Sequence, residues 1–174
     1  VPEAVSIAYK ELVPDASAEA EAAALYRFAA EQGIAVQHIV YSPDELGRVL
    51  DAAARGILPS GRLSILFPLG RYAVNQESDP LELLPFVARI VESGRAESIV
   101  WMACAFGRAE TASLVATAAL GGNVRVGFEN SFVHADGRRA SDNAERVSAA
   151  LAAVSGLSRR PADRAEVLAA LGKP

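Results

Sequence analysis

Five short apolar runs alternate with longer amphipathic segments along this chain of 174 residues. Each short run is almost continuously apolar, which is typical of strands that are covered on both faces in a parallel sheet. The predicted strands are 4–9, 35–41, 63–70, 98–106 and 124–129. This alternation predicts an α/β fold that is built from repeated βα units.

The segments between these runs carry apolar residues at the three- and four-residue spacing of amphipathic helices. Ser42 is a predicted N-cap with Pro43 at the first helical position, and Gly33 and Gly56 are predicted C-terminal caps. Pro85, inside the third segment, is expected to kink its helix. The predicted helices are 17–33, 42–56, 79–94, 108–122, 141–157 and 161–172.

Five βα units fit two architectures. One is a doubly wound sheet of flavodoxin type, which a chain of this length can complete alone. The other is the last five units of a (β/α)8 TIM barrel, a fold that typically needs about 250 residues. The chain starts without a methionine and almost inside a strand, so we expect residues 1–174 to be the C-terminal part of a single barrel domain whose N-terminal units are absent.

Polar side chains follow the predicted strands at their carboxyl ends, where barrels and doubly wound sheets both place their chemistry. Lys10 and Glu11 follow the first strand, so we expect them at the rim of the active site, with Glu11 as a candidate site residue. Arg71 and Arg108 follow later strands and are candidates to bind a substrate carboxylate or a coenzyme A phosphate. Ser42, Glu129 and Asn130 complete this set.

Composition excludes several classes of protein. No run reaches the roughly eighteen apolar residues of a membrane span, and the N-terminal residues do not read as a signal peptide. The net charge of −4 argues against a nucleic-acid or anionic-membrane partner, because such binding needs clustered lysine and arginine. One cysteine, Cys104, rules out an internal disulfide framework and a cysteine-rich zinc site. We therefore expect a soluble, cytoplasmic protein.

The last predicted strand ends on a glutamate. Because side chains alternate along a strand, Arg125 and Glu129 share one face, which we expect to point into the interior, away from the helices. A carboxylate there needs a cation, either Arg125, a basic residue on a neighbouring strand or a metal ion. The step from Arg125 to Glu129 spans about 13 Å along a strand, which is too long for a comfortable direct pair. A metal ion is therefore an attractive second partner.

The two histidines and the cysteine are possible ligands or nucleophiles. Alternation places His38 on the face opposite to Gln37, toward the helices, so it is predicted to be a packed core histidine. His134 lies in the loop after Glu129 and is predicted to be a surface histidine. Cys104 would need a basic partner to act as a nucleophile, and none is identifiable, so it is predicted to be a buried small residue.

Longer stretches of the chain resemble one enzyme family. "GGNVRVGFEN" is preceded by "CAFGR" and followed by "DNAERV" and "RRPADRAEVLAALG", and this arrangement resembles the closing part of the β-keto acid cleavage enzymes. "PEAVSIAYKELVPD", "YSPDEL" and "LGRYAVNQESDP" also resemble one branch of that family. The resemblance implies a (β/α)8 barrel, usually a homotetramer or another homo-oligomer, that binds Zn2+ and converts a β-keto acid and acetyl-CoA into acetoacetate and a new acyl-CoA.

The resemblance also implies roles for individual residues. Glu129 corresponds to the family's glutamate metal ligand, and Arg125 to the arginine that assists proton transfer beside it. Ser6 falls where the family places a hydroxyl near the substrate. Asn130 stands where the best-known members have an acid, which weakens the assignment of a carboxylate base. Gln37 and Ile39 stand where a member that binds an amino-keto acid has glutamates, so a cationic amino-substrate is not expected.

The metal site is incomplete in this sequence. The family's other two ligands form a His-X-His pair on an early strand, and His38 and His134 are the only histidines here. One carboxylate alone does not hold zinc, since catalytic zinc takes about three protein ligands and keeps one position open. Either an upstream segment of about three βα units supplies the histidines, or the chain as it stands is inactive.

Two further functions stay open at this point. A doubly wound, non-catalytic domain that binds a ligand or a protein would explain the short chain, although "KELVPDAS" after the first strand is no phosphate-binding loop. A metal-independent lyase or aldolase barrel is the other, with Lys10 as its one lysine at a strand end. The substrates of the favoured function are small molecules, a β-keto acid and acetyl-CoA.

Overall fold

The computed structural model describes residues 1–173, which form an α/β protein with a parallel five-stranded sheet. The strands are β1 (Ala4–Ala8), β2 (Ala35–Ile39), β3 (Leu63–Leu69), β4 (Ile99–Ala105) and β5 (Asn123–Val124). They lie in the order β1-β2-β3-β4-β5, which is also their order along the chain. The predicted alternation of strands and helices is confirmed.

Strand order separates the two architectures that the sequence left open. A doubly wound sheet starts in the middle and reverses its direction of growth, so chain neighbours at the reversal are not sheet neighbours. Over residues 1–173 the order has no reversal. The doubly wound alternative is therefore wrong as a description of this part of the protein.

Seven α-helices lie within residues 1–173. They are α1 (Tyr9–Leu12), α2 (Glu19–Glu31), α3 (Pro43–Ala54), α4 (Leu83–Glu92), α5 (Glu110–Ala119), α6 (Asn143–Val154) and α7 (Arg164–Ala170). The predicted cap of α3 is confirmed, because the Ser42 hydroxyl accepts a 3.1 Å hydrogen bond from the Glu45 amide. None of these helices is both long and apolar enough to cross a bilayer.

The helix and strand ends differ from the prediction at three places. Lys10 and Glu11 were expected to end the first strand but lie on the short helix α1, which the sequence did not predict. Pro85 lies in the first turn of α4 rather than in its interior, and a missing amide proton there costs no helical hydrogen bond. The fifth strand ends at Val124 rather than at residue 129.

The chain divides into two compact units. The first contains Val1–Leu66, Pro85–Val100 and residues 162–173, and the second contains Phe67–Leu84 and Trp101–Pro161. In the first unit, Ser6 is in register with Gln37 and Gln37 with Ser64, so these three side chains share one face of the sheet. The other face packs on helices.

His38 shows which face packs on the helices of the first unit. Its ring is 4% exposed and lies 5.4 Å from the ring of Tyr26 on α2, measured between centroids. Its Nδ1 is 3.2 Å from the carbonyl oxygen of Ser64, and burial lowers the pKa of His38 to about 4. The prediction of a packed histidine that faces the helices is confirmed.

Gly122 is expected to tolerate no larger residue, because a Cβ at this position would lie 2.6 Å from Cη2 of Trp101. The indole is 9% exposed and also packs on Phe67, with 5.7 Å between ring centroids, so it has little room to move. Gly122→Ala should therefore lower the free energy of unfolding by about 1–3 kcal/mol, the usual cost of overpacking.

Denaturant unfolding of Gly122→Ala beside Gly156→Ala measures this effect. Gly156 is the matched control, because an added Cβ there has no heavy atom within 4 Å. The control should change stability by less than about 0.5 kcal/mol. Equal stability of the two variants would contradict the close approach of Gly122 to the indole.

Candidate active site

The segment after β5 folds back in a tight turn that carries Glu129. The Gly127 carbonyl accepts hydrogen bonds from the Asn130 amide at 3.0 Å and from the Ser131 amide at 3.3 Å. This turn brings the Glu129 carboxylate back to the strand end, where Oε1 lies 2.6 Å from Nη2 of Arg125. The two residues that the sequence singled out are therefore a direct ion pair at the carboxyl end of β5.

The structure corrects what the sequence predicted for the strand end, the partner and the exposure of Glu129. A direct pair with Arg125 was judged too long because the strand was expected to continue to residue 129. Since β5 ends at Val124, the extended spacing does not apply. The Glu129 side chain is also 66% exposed, so it does not point into a dry interior. Of the three cations that the sequence left open, the structure places Arg125 beside Glu129.

Arg125 has a second contact, on the neighbouring strand. Its Nη2 donates to the sulfur of Cys104 at 3.3 Å, and its backbone amide donates to the Ala103 carbonyl at 3.0 Å. Cys104 is fully buried, as predicted, but the prediction that it has no basic partner is wrong. Burial raises the pKa of the Cys104 thiol, and the charge of Arg125 opposes that rise. The thiol is therefore protonated and neutral near pH 7.

Asn130 closes the turn and Asn143 supports it from outside. The Asn130 side chain is 8% exposed, and its buried Oδ1 has no hydrogen-bond partner among residues 1–173. The Phe128 amide donates to Oδ1 of Asn143, the first residue of α6, at 2.8 Å. Asn143 was not among the residues that the sequence singled out. Asparagine beside the helix N-cap Asp142 was the available signal, because its side chain competes well for loose backbone amides.

A buried charged cluster joins α5, α6 and the loop between them. Glu110 is fully buried and pairs with Arg146, which is 2% exposed. Arg146 also donates from Nη1 to Nδ1 of His134 at 2.8 Å. Since an arginine can only donate, Nδ1 accepts, and the ring proton of neutral His134 lies on Nε2, 2.9 Å from Glu145. The prediction of a surface histidine is wrong for His134, whose side chain is 13% exposed.

Glu145 anchors the same loop at its far end. Its carboxylate accepts from the Ser141 amide at 2.8 Å and hydroxyl at 2.9 Å, and from Arg138 Nη1 at 2.6 Å. These donors, together with His134, hold the pKa of Glu145 well below its ordinary value. The loop that follows the Glu129 turn is thus fixed to the start of α6.

The two candidate anion-binding arginines lie on loops of the second unit, and both are exposed. The guanidinium of Arg71 stacks on Phe106, with its Cζ 5.6 Å from the ring centroid. Arg108 lies against Gly137, where a Cβ would overlap its guanidinium. Arg71 and Arg108 remain candidates for binding an anionic substrate.

The candidates in the first unit are polar but differ in their contacts. The Ser6 hydroxyl, which is exposed, donates to Oε1 of Gln37 at 3.1 Å, and Nε2 of buried Gln37 donates to the Ser64 hydroxyl at 3.4 Å. Glu11 is exposed on α1. Lys10 forms a 3.4 Å ion pair with Glu45. Ser6 thus belongs to a polar ladder across three strands, whereas Glu11 and Lys10 belong to the helix after β1.

The described residues do not by themselves fit the expected zinc ion. Within residues 1–173, no three histidine, cysteine, aspartate or glutamate side chains lie close enough together to hold a metal. Glu129 has one carboxylate to offer, and one of its oxygens already binds Arg125. A zinc centre with about three protein ligands therefore needs donors beyond those in this part of the protein.

A parallel α/β sheet with a charged pair at the end of a strand is the layout of enzymes that bind small molecules outside the carboxyl ends of their strands. The family model of the beta-keto acid cleavage enzyme matches residues 2–172, essentially the whole sequence. The chain belongs to this family. Its class is therefore that of enzymes acting on β-keto acids, which are small-molecule substrates. Comparison with curated proteins found no match.

Proposed function

We propose that this protein cleaves a β-keto acid with acetyl-CoA as the second substrate. In this reaction R–CO–CH2–COO⁻ and CH3–CO–SCoA give CH3–CO–CH2–COO⁻ and R–CO–SCoA. The bond between C2 and C3 of the keto acid breaks, the two-carbon fragment joins the acetyl group, and the R–CO group leaves on coenzyme A. Membership of the family and the Arg125–Glu129 pair at the end of β5 support the proposal.

We assign the stabilisation of negative charge during the reaction to Arg125. Both the keto acid and the enolate that forms when the bond breaks are anions, and a fixed guanidinium stabilises such charge. The Arg125 side chain is 36% exposed, so a substrate can reach it. Glu129 holds the guanidinium from the turn, and the next residue, Asn130, has a buried Oδ1 without a hydrogen-bond partner among residues 1–173.

The architecture that we propose is a (β/α)8 barrel in which these residues provide about the last five βα units. Five parallel strands in unbroken sequential order support this interpretation, because a barrel adds its strands in the same way. In this proposal Ser6 contacts the substrate, and Glu11 lies at the rim of the active site. Arg71 and Arg108 are assigned to the phosphates of acetyl-CoA, and a homo-oligomer is part of the same proposal.

The proposal includes a bound Zn2+ ion, for which Glu129 is the one ligand that we assign. When bound, a divalent ion would supply Lewis-acid stabilisation of the enolate. Glu129 would give one ligand, and the remaining ligands must come from residues other than those that surround it here. The prediction is that Glu129→Gln lowers the zinc bound per protein chain by at least about tenfold, since the amide is a neutral and weaker ligand.

The experiment combines a substrate screen with metal analysis of the protein. A panel of β-keto acids is incubated with acetyl-CoA, and acetoacetate and new acyl-CoA are measured in equal amounts if the proposed reaction occurs. Glu129→Gln is compared with the wild type for zinc content, with the exposed Glu21→Gln on α2 as the control. Zinc content that is unchanged in Glu129→Gln would contradict the role of Glu129 as a ligand.

A further inference from the structure

Arg125 needs a buried support in addition to its exposed partner, Glu129. Glu129 pairs with the guanidinium at 2.6 Å, but its side chain lies on a turn and is 66% exposed, so packing does not restrain it. The Nε of Arg125 is buried and has no hydrogen-bond partner among residues 1–173. The contacts that fix this guanidinium therefore converge on Nη2, which binds one carboxylate and one sulfur.

Cys104 has the properties of such a support. Its side chain is fully buried, with 0% of its surface accessible to solvent. It lies near the end of the seven-residue strand β4. The Arg125 amide is tied to the same strand by its bond to the Ala103 carbonyl. Both ends of the arginine are thus attached to β4, the backbone at Ala103 and the guanidinium at Cys104.

The choice of a thiol has a physical consequence. Glu129 already pairs with Arg125, so a second carboxylate at position 104 would give these three side chains a net negative charge, whereas a neutral sulfur accepts the hydrogen bond without adding charge. The burial that keeps the thiol protonated preserves this state. Arg125 then shares its charge with Glu129 and with an incoming anion.

We propose that Cys104 is a positioning residue, whose sulfur holds the guanidinium of Arg125 toward the reacting anion at the carboxyl end of β5. The inference rests on the proposed function, because it takes Arg125 to be the residue that meets the substrate. Cys104 itself does not touch the substrate in this scheme. It acts through the direction in which Arg125 points.

The kinetic test compares Cys104→Ala with Cys104→Ser. Removing the sulfur should lower kcat by about tenfold, the equivalent of one hydrogen bond of about 1.4 kcal/mol in the transition state. The serine hydroxyl is an acceptor of similar size and should restore most of the loss. Thr117→Ser, which also removes one buried heavy atom in the second unit, is the control for packing and should leave kcat unchanged.

A second readout does not depend on turnover. The chain has one cysteine, so a 13C label in cysteine reports Cys104 alone. The 13Cβ chemical shift should move in Arg125→Gln and stay in place in Arg27→Ala, which changes an exposed arginine on α2. A shift that is the same in Arg125→Gln and in the wild type would overturn the contact.

The outcomes separate this inference from the proposed function. A wild type that forms no acetoacetate from any β-keto acid defeats the proposed function, and the 13C measurement then still decides whether Cys104 contacts Arg125. With an active wild type, the positioning role is wrong if Cys104→Ala keeps kcat within about twofold. It is also wrong if the serine variant is no better than the alanine variant.

Discussion

Replacing Arg125 by glutamine is expected to lower kcat/KM for β-keto acid cleavage by about 100- to 1,000-fold, the usual loss when a fixed donor to a developing anion is removed. Glutamine keeps a hydrogen-bond donor but carries no charge, so the substrate anion loses its counter-charge. The ion pair with Glu129 is lost as well, which leaves an exposed carboxylate near an anionic substrate. Repulsion between these two anions adds to the loss.

Steady-state kinetics with the keto acid that the wild type accepts measures this effect. Arg125→Lys should recover part of the activity, because it restores the charge but not the forked geometry of the guanidinium. Arg27→Ala, which changes an exposed arginine on α2, should behave as the wild type. A kcat/KM of Arg125→Gln within about fivefold of the wild type would remove Arg125 from the mechanism.

Replacing Arg146 by alanine is expected to lower the free energy of unfolding by about 3–5 kcal/mol, because it leaves the buried carboxylate of Glu110 without its cation. Glu110 is fully buried, and its Oε1 already lacks a hydrogen-bond partner among residues 1–173. His134 loses its donor at Nδ1 in the same variant. Calorimetry should show a fall in Tm of about 10 °C for a chain of this size.

The loss in Arg146→Ala should depend on pH. Burial raises the pKa of Glu110 above its ordinary value of 4.5, and Arg146 opposes the rise, so removing Arg146 raises this pKa further. A carboxyl whose pKa is higher in the folded than in the unfolded state adds stability below the unfolded pKa, and this is lost as pH rises through the folded pKa. The stability deficit of the variant should therefore be smaller at pH 5 than at pH 8.

A double variant distinguishes a lost charge from lost packing. Glu110→Gln combined with Arg146→Met removes both charges and keeps the volume of both side chains, so it should be much closer to the wild type than Arg146→Ala is. A deficit in Arg146→Ala that is the same at pH 5 and pH 8, and is not relieved in the double variant, would show that packing alone is responsible.

Much of the fold could be predicted from local sequence. The runs around Ile65 and Ala103 are almost continuously apolar, which is typical of strands covered on both faces in a parallel sheet. Ser42 and Pro43 specify a helix start by short-range hydrogen bonding and a fixed dihedral angle, so they act in the same way in any fold. The prediction failed where a tertiary contact competes with local preference, as after Val124, where β5 ends and the Gly127 carbonyl accepts hydrogen bonds from the Asn130 and Ser131 amides in a turn.

The sequence singled out Arg125 and Glu129 but did not predict their geometry. They were singled out because alternation puts them on one face of the predicted strand and because the surrounding residues resemble one enzyme family. Their direct contact was missed, since it depends on where β5 stops. Cys104 was judged to have no partner because the residue that contacts it lies 21 positions away in the chain.

The sequence by itself determined the βα repeat, the helix caps and the family to which the chain belongs, because each depends on patterns within a short stretch of residues. Only the tertiary structure decided the partners of its buried charges. Glu110 and His134 both bind Arg146 because α6 packs against α5. Arg125 turns toward Cys104 because β5 lies beside β4. A buried charged side chain needs a partner of opposite charge or a hydrogen-bond partner. The residue type therefore predicts that a partner exists, but the packing of the helices and strands decides which residue it is.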